Sequence, residues 1–192
     1  HPYEQFDPIF SAPQSVVVIH RGGPGYVIDP NLQGVLPIQL LGSNQPDTLR
    51  FSGSDGLALY GQGGDDVLHG SSATDLLSGG AGADTFEFET TNNGIDTLLD
   101  FALGDRIHIN GLALSGQVTE GNGAQLLAGA VQIHRVDDTT YLYLGTDSQA
   151  GADVVLRLLP HKAVNGYNYN PWDSIRPTLD SLKIVDGDLV FT

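Results

Sequence analysis

The chain has no cysteine and no methionine among its 192 residues. Without thiols it can form no disulfide, so a life outside the cell would have to rest on another staple, such as bound metal. Basic side chains are scarce: 8 lysines and arginines face 23 aspartates and glutamates, for a net charge of -15. An acidic surface of this kind argues against nucleic acid, whose phosphates call for lysine and arginine. No apolar run approaches the roughly 18 residues of a membrane span; the longest aliphatic stretch is Val16 to Ile19. The N-terminus also lacks the basic-then-apolar pattern of a secretory signal peptide. Proline is missing from a long central block, with seven of the ten prolines before Asp47 and the last three at Pro160, Pro171 and Pro177. That block keeps every N–H donor a β-ladder needs.

Catalytic signatures are missing too. There is no HExxH, no GxSxG elbow and no glycine-rich nucleotide loop in a helix-forming context. The glycines of Arg21-Gly22-Gly23-Pro24-Gly25 are followed by no helix pattern and no lysine, which excludes a phosphate cradle. The six histidines are scattered, and His108 and His134 read as strand residues that pack rather than react. The segment is expected not to be an enzyme, and any catalytic domain would lie upstream of it.

What the chain has is a repeat. From Gly61 to Glu87 three nine-residue units follow one another without a gap: Gly61-Gln62-Gly63-Gly64-Asp65-Asp66-Val67-Leu68-His69, Gly70-Ser71-Ser72-Ala73-Thr74-Asp75-Leu76-Leu77-Ser78 and Gly79-Gly80-Ala81-Gly82-Ala83-Asp84-Thr85-Phe86-Glu87. Each opens on glycine, places aspartate sixth and a large apolar residue eighth. A single Gly-Asp cluster is ordinarily a turn between strands. Recurrence in phase points instead to the pattern GGxGxDxUx, the calcium-binding nonapeptide of a parallel β-helix.

Physical chemistry supports that assignment. Two units make one coil of eighteen residues, and coils stack at about 4.8 Å, which sets Asp66 directly under Asp84. Two bare carboxylates at that spacing repel by about 3 kcal/mol at an effective dielectric near 20. A cation between them removes the conflict. Calcium suits such a gap because it takes six to eight hard oxygens in flexible geometry, including carbonyls aimed inward by glycine turns. Magnesium demands a stricter octahedron, and zinc prefers histidine or thiolate. Eleven of the acidic residues fall between Gly42 and Asp105, opposed there only by Arg50.

The eighth positions, Leu68, Leu77 and Phe86, supply one inward apolar side chain per strand, and Leu59 and Leu49 extend the register upstream. The metal positions decay faster. Unit Gly42 to Arg50 keeps Asp47 but has Gln45 where glycine is expected, and unit Ser52 to Tyr60 has Leu57 where aspartate is expected. The first coil is therefore expected to be only partly metallated. On the opposite edge Asp75 is expected to face Leu57 below and Asn93 above.

Downstream, the run Gly79-Gly80-Ala81-Gly82-Ala83-Asp84-Thr85-Phe86 leads to Asp96-Thr97-Leu98-Leu99-Asp100-Phe101 and Gly104-Asp105-Arg106-Ile107. Together they resemble the C-terminal domain of serralysin-type RTX proteins, found at the end of type I-secreted proteases, lipases and adhesins and in the repeat modules of mannuronan epimerases. Tyr141-Leu142-Tyr143-Leu144 and Asp153-Val154-Val155-Leu156-Arg157-Leu158 are similar to the paired strands that cap the roll in that family. The resemblance covers about Gly42 to Leu159. It implies that Asp100 also ligates calcium, with Asp96 as a further candidate, whereas Asp105 is expected to make a local turn. Leu57 and Ala73 depart from the pattern, the second replacing a glycine of the middle unit.

The expected fold is all-β: a parallel β-roll, or β-helix, of calcium-binding nonapeptides with an antiparallel β cap. Residues 1–41 form a β lead-in with strands at Val16 to His20, Tyr26 to Ile28 and Val35 to Leu41. Residues 42–110 form the roll, and residues 111–192 the cap. The candidate calcium set is Asp47, Gly61, Gly63, Asp66, Gly70, Asp75, Gly79, Gly80, Gly82, Asp84, Asp96 and Asp100. Asp7-Pro8 and Asp29-Pro30 are read as turn starts. Leu182 to Thr192 reads as a hairpin around Asp186-Gly187, and its acidic-then-apolar end resembles the uncleaved signal read by type I secretion machinery.

The resemblance implies a module that folds on calcium outside the cell and supports type I secretion and folding of its parent, hence a secreted or cell-surface location. An alternative is a calcium-dependent module for polysaccharide or a cell surface, with Tyr167, Tyr169 and Trp172 as stacking candidates; the commoner use of such rings is packing. A third reading is a module that serves an upstream hydrolase or epimerase.

Overall fold

One apolar residue per short strand dictates the architecture. In the computed structural model, which describes residues 16–19, 23–27, 38–51, 56–91, 94–137, 139–159 and 177–192, the eighth-position residues Leu49, Leu59, Leu68, Leu77 and Phe86 are wholly buried, as are Leu98 and Ile107. Each such burial is worth about 1.5–3 kcal/mol. Their neighbours in β4, β6 and β8 are more exposed, as the two-residue period requires.

The strands are β1 (Val16–Ile19), β2 (Gly23–Val27), β3 (Ile38–Leu41), β4 (Asp47–Arg50), β5 (Leu57–Gly63), β6 (Val67–His69), β7 (Leu76–Ala81), β8 (Thr85–Phe88), β9 (Ile95–Leu98) and β10 (Arg106–Ile109). They alternate between two sheets. Odd strands stack in one as β1-β3-β5-β7-β9 and even strands in the other as β2-β4-β6-β8-β10, every neighbouring pair parallel. Leu59 lies beside Leu77 and Leu68 beside Phe86, eighteen residues apart in each case. This is a parallel β-roll.

Two expectations need correction. The strand expected from Tyr26 begins earlier, at Gly23. β2 is the outermost strand of its sheet, and its register with β4 shifts between Gly23 and Tyr26. An edge position with an irregular register accommodates Pro24, which has no N–H to donate. Past Phe88 the coil also lengthens: Leu77 pairs with Leu98 and Phe86 with Ile107, twenty-one residues apart in both cases.

The second half continues both sheets. β14 (Val154–Leu158) adds parallel to β9, and β13 (Thr139–Leu144) and β12 (Val131–Val136) follow antiparallel, with the short β11 (Thr119–Glu120) outermost. In the other sheet β16 (Asp188–Phe191) pairs antiparallel with β10, and β15 (Leu182–Val185) closes the end. The hairpin at Asp186-Gly187 falls where the sequence placed it, and a second tight turn follows β12. Asp137 has φ of 52°, while Asp186 and Gly187 have φ of 53° and 91°, the left-handed pair that a two-residue hairpin turn requires. Phe101 joins roll to cap: its ring lies 6.0 Å from that of Phe86 and 5.9 Å from that of Phe191, centre to centre. No helix among the described residues is long and apolar enough to cross a membrane.

Candidate metal centre

The sixth residue of each unit sits where the chain leaves a turn and enters a strand. Parallel stacking then brings the sixth positions of alternate units onto one edge. There the carboxylates form a ladder with the main chain. The N–H of Asp47 donates to Oδ1 of Asp66 at 2.8 Å, that of Asp66 to Oδ1 of Asp84 at 2.9 Å, and that of Asp84 to Oδ1 of Asp105 at 2.9 Å. The opposite edge repeats the arrangement: the N–H of Leu57 donates to Oδ1 of Asp75 at 2.9 Å and that of Asp75 to Oδ1 of Asp96 at 2.8 Å. All these aspartates are buried.

The place above Asp75 thus belongs to Asp96 and not to Asn93, because three extra residues enter the coil after Phe88. Asp105 does make its local turn, accepting the Ala102 N–H at 2.7 Å, and it also caps the ladder. The spacing of 21 hides that second role from a count by eighteens. Asp100 lies over the third glycine turn and accepts the Gly79 and Gly80 N–H groups, each at 3.0 Å, and the Ser78 hydroxyl at 2.6 Å.

The second carboxylate oxygens separate the units. Oδ2 of Asp66 and Oδ2 of Asp84 are buried and have no hydrogen-bond partner. Each lies against the opening glycine of its own unit. A Cβ added at Gly61 would collide with Asp66 Oδ2 and with the Gly79 carbonyl oxygen one coil above, and a Cβ at Gly79 would collide with the Asp84 carboxylate. Gly42 and Gly70 stand in the same relation to Asp47 and Asp75, with Oδ2 at 2.9 Å from the added carbon in both. Glycine opens these units because the carboxylate occupies the space a side chain would take. Gly63 is different, with nothing closer than 3.6 Å to an added Cβ. Gly80 and Gly82 are left-handed, with φ of 96° and 145°, and lie against the carbonyls of Gln62 and Gly64 respectively.

Electrostatics agrees with the orphaned oxygens. Burial pushes the Asp66 carboxyl up to about 7, with the Asp84 charge adding to the rise, against the pull of the Asp47 N–H. Burial likewise pushes Asp84 to about 6 and Asp105 to about 7, and it raises Asp75. Isolated buried carboxylates are costly unless a proton or cation neutralises them. A hard oxygen-seeking cation fits Asp66 and Asp84, since each offers a buried acceptor with no donor, beside turn carbonyls. Among the described residues no three acidic or histidine side chains converge as a metal cluster. Any cation here would draw on single carboxylates and main-chain oxygens, a donor set that suits calcium far better than zinc.

Of the sequence-based candidates, Asp47, Asp66, Asp75, Asp84 and Asp96 are brought into the two ladders, and Asp100 onto the third turn. Tyr167, Tyr169 and Trp172 lie outside the described residues, as do Asn93, Asp7-Pro8 and Asp29-Pro30.

Fold and site together define a parallel β-roll with ladders of buried aspartates along its edges. Residues 59–89 match the family model described as RTX calcium-binding nonapeptide repeat, four copies. This stretch of the chain is therefore made of RTX calcium-binding nonapeptide repeats. Among solved structures, the chain is similar to the AlgE6R3 subunit of the mannuronan C5-epimerase from Azotobacter vinelandii, at 28% identity over 69% of this chain and 82% of that one, with a TM-score of 0.44. The comparison with curated proteins gives no match.

Proposed function

We propose that the chain is a calcium-dependent folding module that supports type I secretion of its parent protein and its folding outside the cell. The observation that supports this most directly is the pair of buried, unpartnered oxygens on Asp66 and Asp84, stacked on one edge of the roll. Calcium supplies positive charge and coordination to these oxygens. The chain's own residues do the rest: Gly61 and Gly79 leave room for the carboxylates, the Oδ1 ladder fixes their orientation, and the buried leucines hold the coils in register.

The mechanism is charge control. At low calcium the buried aspartates repel and oppose stacking, which leaves the chain extended enough to thread a secretion channel. At the higher calcium outside, binding to the folded form alone draws the equilibrium toward the roll. The hairpin β15–β16 caps the far end of its sheet. The module contributes no catalytic group of its own. Co-expression of the full chain with and without a type I transporter tests the secretion role. Export that depends on the transporter is expected. Retention in both cases would overturn the secretion reading.

A further inference from the structure

The four nonapeptide turns preserved in the described residues are not alike. In the Gly61 and Gly79 units the aspartate Oδ2 has no donor. In the Gly42 unit, Oδ2 of Asp47 accepts the Ser43 N–H at 2.6 Å and the Ser43 hydroxyl at 2.9 Å. In the Gly70 unit, the Ser71 N–H donates to Oδ2 of Asp75 and the Ser71 hydroxyl to Oδ1 at 2.9 Å. Asp105, which ends the ladder above Asp84, has its Oδ2 bound by the Ala102 N–H.

The backbone divides the same way. The second and fourth residues of the open turns are left-handed: Gln62 and Gly64 at φ of 79° and 105°, Gly80 and Gly82 at 96° and 145°. Ser43, Gln45, Ser71 and Ala73, at the same places in the other two turns, are not. A left-handed residue redirects the adjoining peptide groups, and the Gly80 N–H accordingly goes to Asp100 instead of Asp84. With ordinary φ, the second N–H points into the turn and meets the carboxylate.

Resting on the calcium reading above, we infer that the demand for calcium is confined to the Gly61–Asp66 and Gly79–Asp84 turns, and that serine at the second position replaces the ion in the Asp47 and Asp75 turns. Two serine donors satisfy a carboxylate that an open turn leaves for a cation. The roll therefore carries calcium on one edge, between end turns that close on their own donors. The opposite edge at Asp75 binds no ion of its own, and the calcium response of the whole roll arises from the two middle turns.

Calcium stoichiometry of the full chain, measured by isothermal titration, decides the matter. Asp75→Asn is expected to bind as many ions as the wild type with affinity within about threefold, whereas Asp66→Asn and Asp84→Asn each lose an ion or weaken binding at least tenfold. Loss of an ion on Asp75→Asn, in a wild type that binds calcium, overturns the inference alone. A wild type that binds no calcium overturns the calcium reading itself. Ser71→Gly provides an independent arm, since it keeps Asp75 but removes its hydroxyl donor. It is expected to lower the thermal midpoint in chelator; an unchanged midpoint would show that serine replaces nothing.

Discussion

The main-chain N–H of Asp66 donates to Oδ1 of Asp84 at 2.9 Å across one coil, while Oδ2 of both residues is buried without a partner. One oxygen of each carboxylate thus serves the stack of coils, and the other is the oxygen that the proposed calcium would take. Removing either side chain costs both. Asp66→Ala and Asp84→Ala are each expected to raise the calcium concentration at half-folding by tenfold or more, because the buried N–H beneath loses its acceptor at about 1–3 kcal/mol and a ligand is lost besides. Calcium titrations followed by circular dichroism check this, and unchanged midpoints in both variants would contradict it.

Glycine substitutions are expected to sort by the space above them. Gly61→Ala and Gly79→Ala drive a methyl group into a buried carboxylate, with a cost of about 1–3 kcal/mol and a weakened calcium response. Gly63→Ala meets nothing within 3.5 Å and should change stability little. Thermal melts at saturating calcium separate the two classes.

Acid should stabilise the metal-free roll. Burial holds Asp66 and Asp105 at about 7 and Asp84 at about 6, above the value of about 4 for an unfolded aspartate. The folded state then binds protons more tightly than the unfolded one. Its contribution is fully present below about pH 4 and is lost as pH rises through 6 to 7. In chelator the thermal midpoint is expected to be higher at pH 5 than at pH 8. Calcium, which competes with protons for the same oxygens, should flatten or reverse that trend. A chelated chain as stable at pH 8 as at pH 5 would contradict the argument.

Phe101 links the roll to its final hairpin through Phe86 and Phe191. Phe101→Ala is expected to cost about 3–5 kcal/mol, measurable by urea unfolding of the calcium-loaded chain. Loss of protection from hydrogen exchange should be greatest in β15 and β16.

The core was legible because its signal is local: the eighth residue of every nine-residue unit from Leu68 to Phe86 is apolar, and a strand has only two faces. The stacking of Asp66 under Asp84 followed from the same count. The count failed after Phe88, where a longer coil put Asp96 and not Asn93 above Asp75 and brought Asp105 onto the ladder. Nothing in a nonapeptide pattern announces three extra residues. The serine caps were invisible for another reason. Ser43 and Ser71 occupy a position where the pattern expects glycine, and a departure from the pattern does not announce what the new side chain bonds. The strand expected from Tyr26 starts at Gly23 instead, because proline and glycine signal a break whereas an edge strand with a shifted register tolerates both.

The most direct test of the central claim is far-ultraviolet circular dichroism of the full chain titrated with calcium, with magnesium as control. The account predicts a cooperative gain of β signal at calcium of about 0.1–1 mM, the range of extracellular calcium modules, and none with magnesium. A spectrum in chelator identical to that in calcium would contradict it.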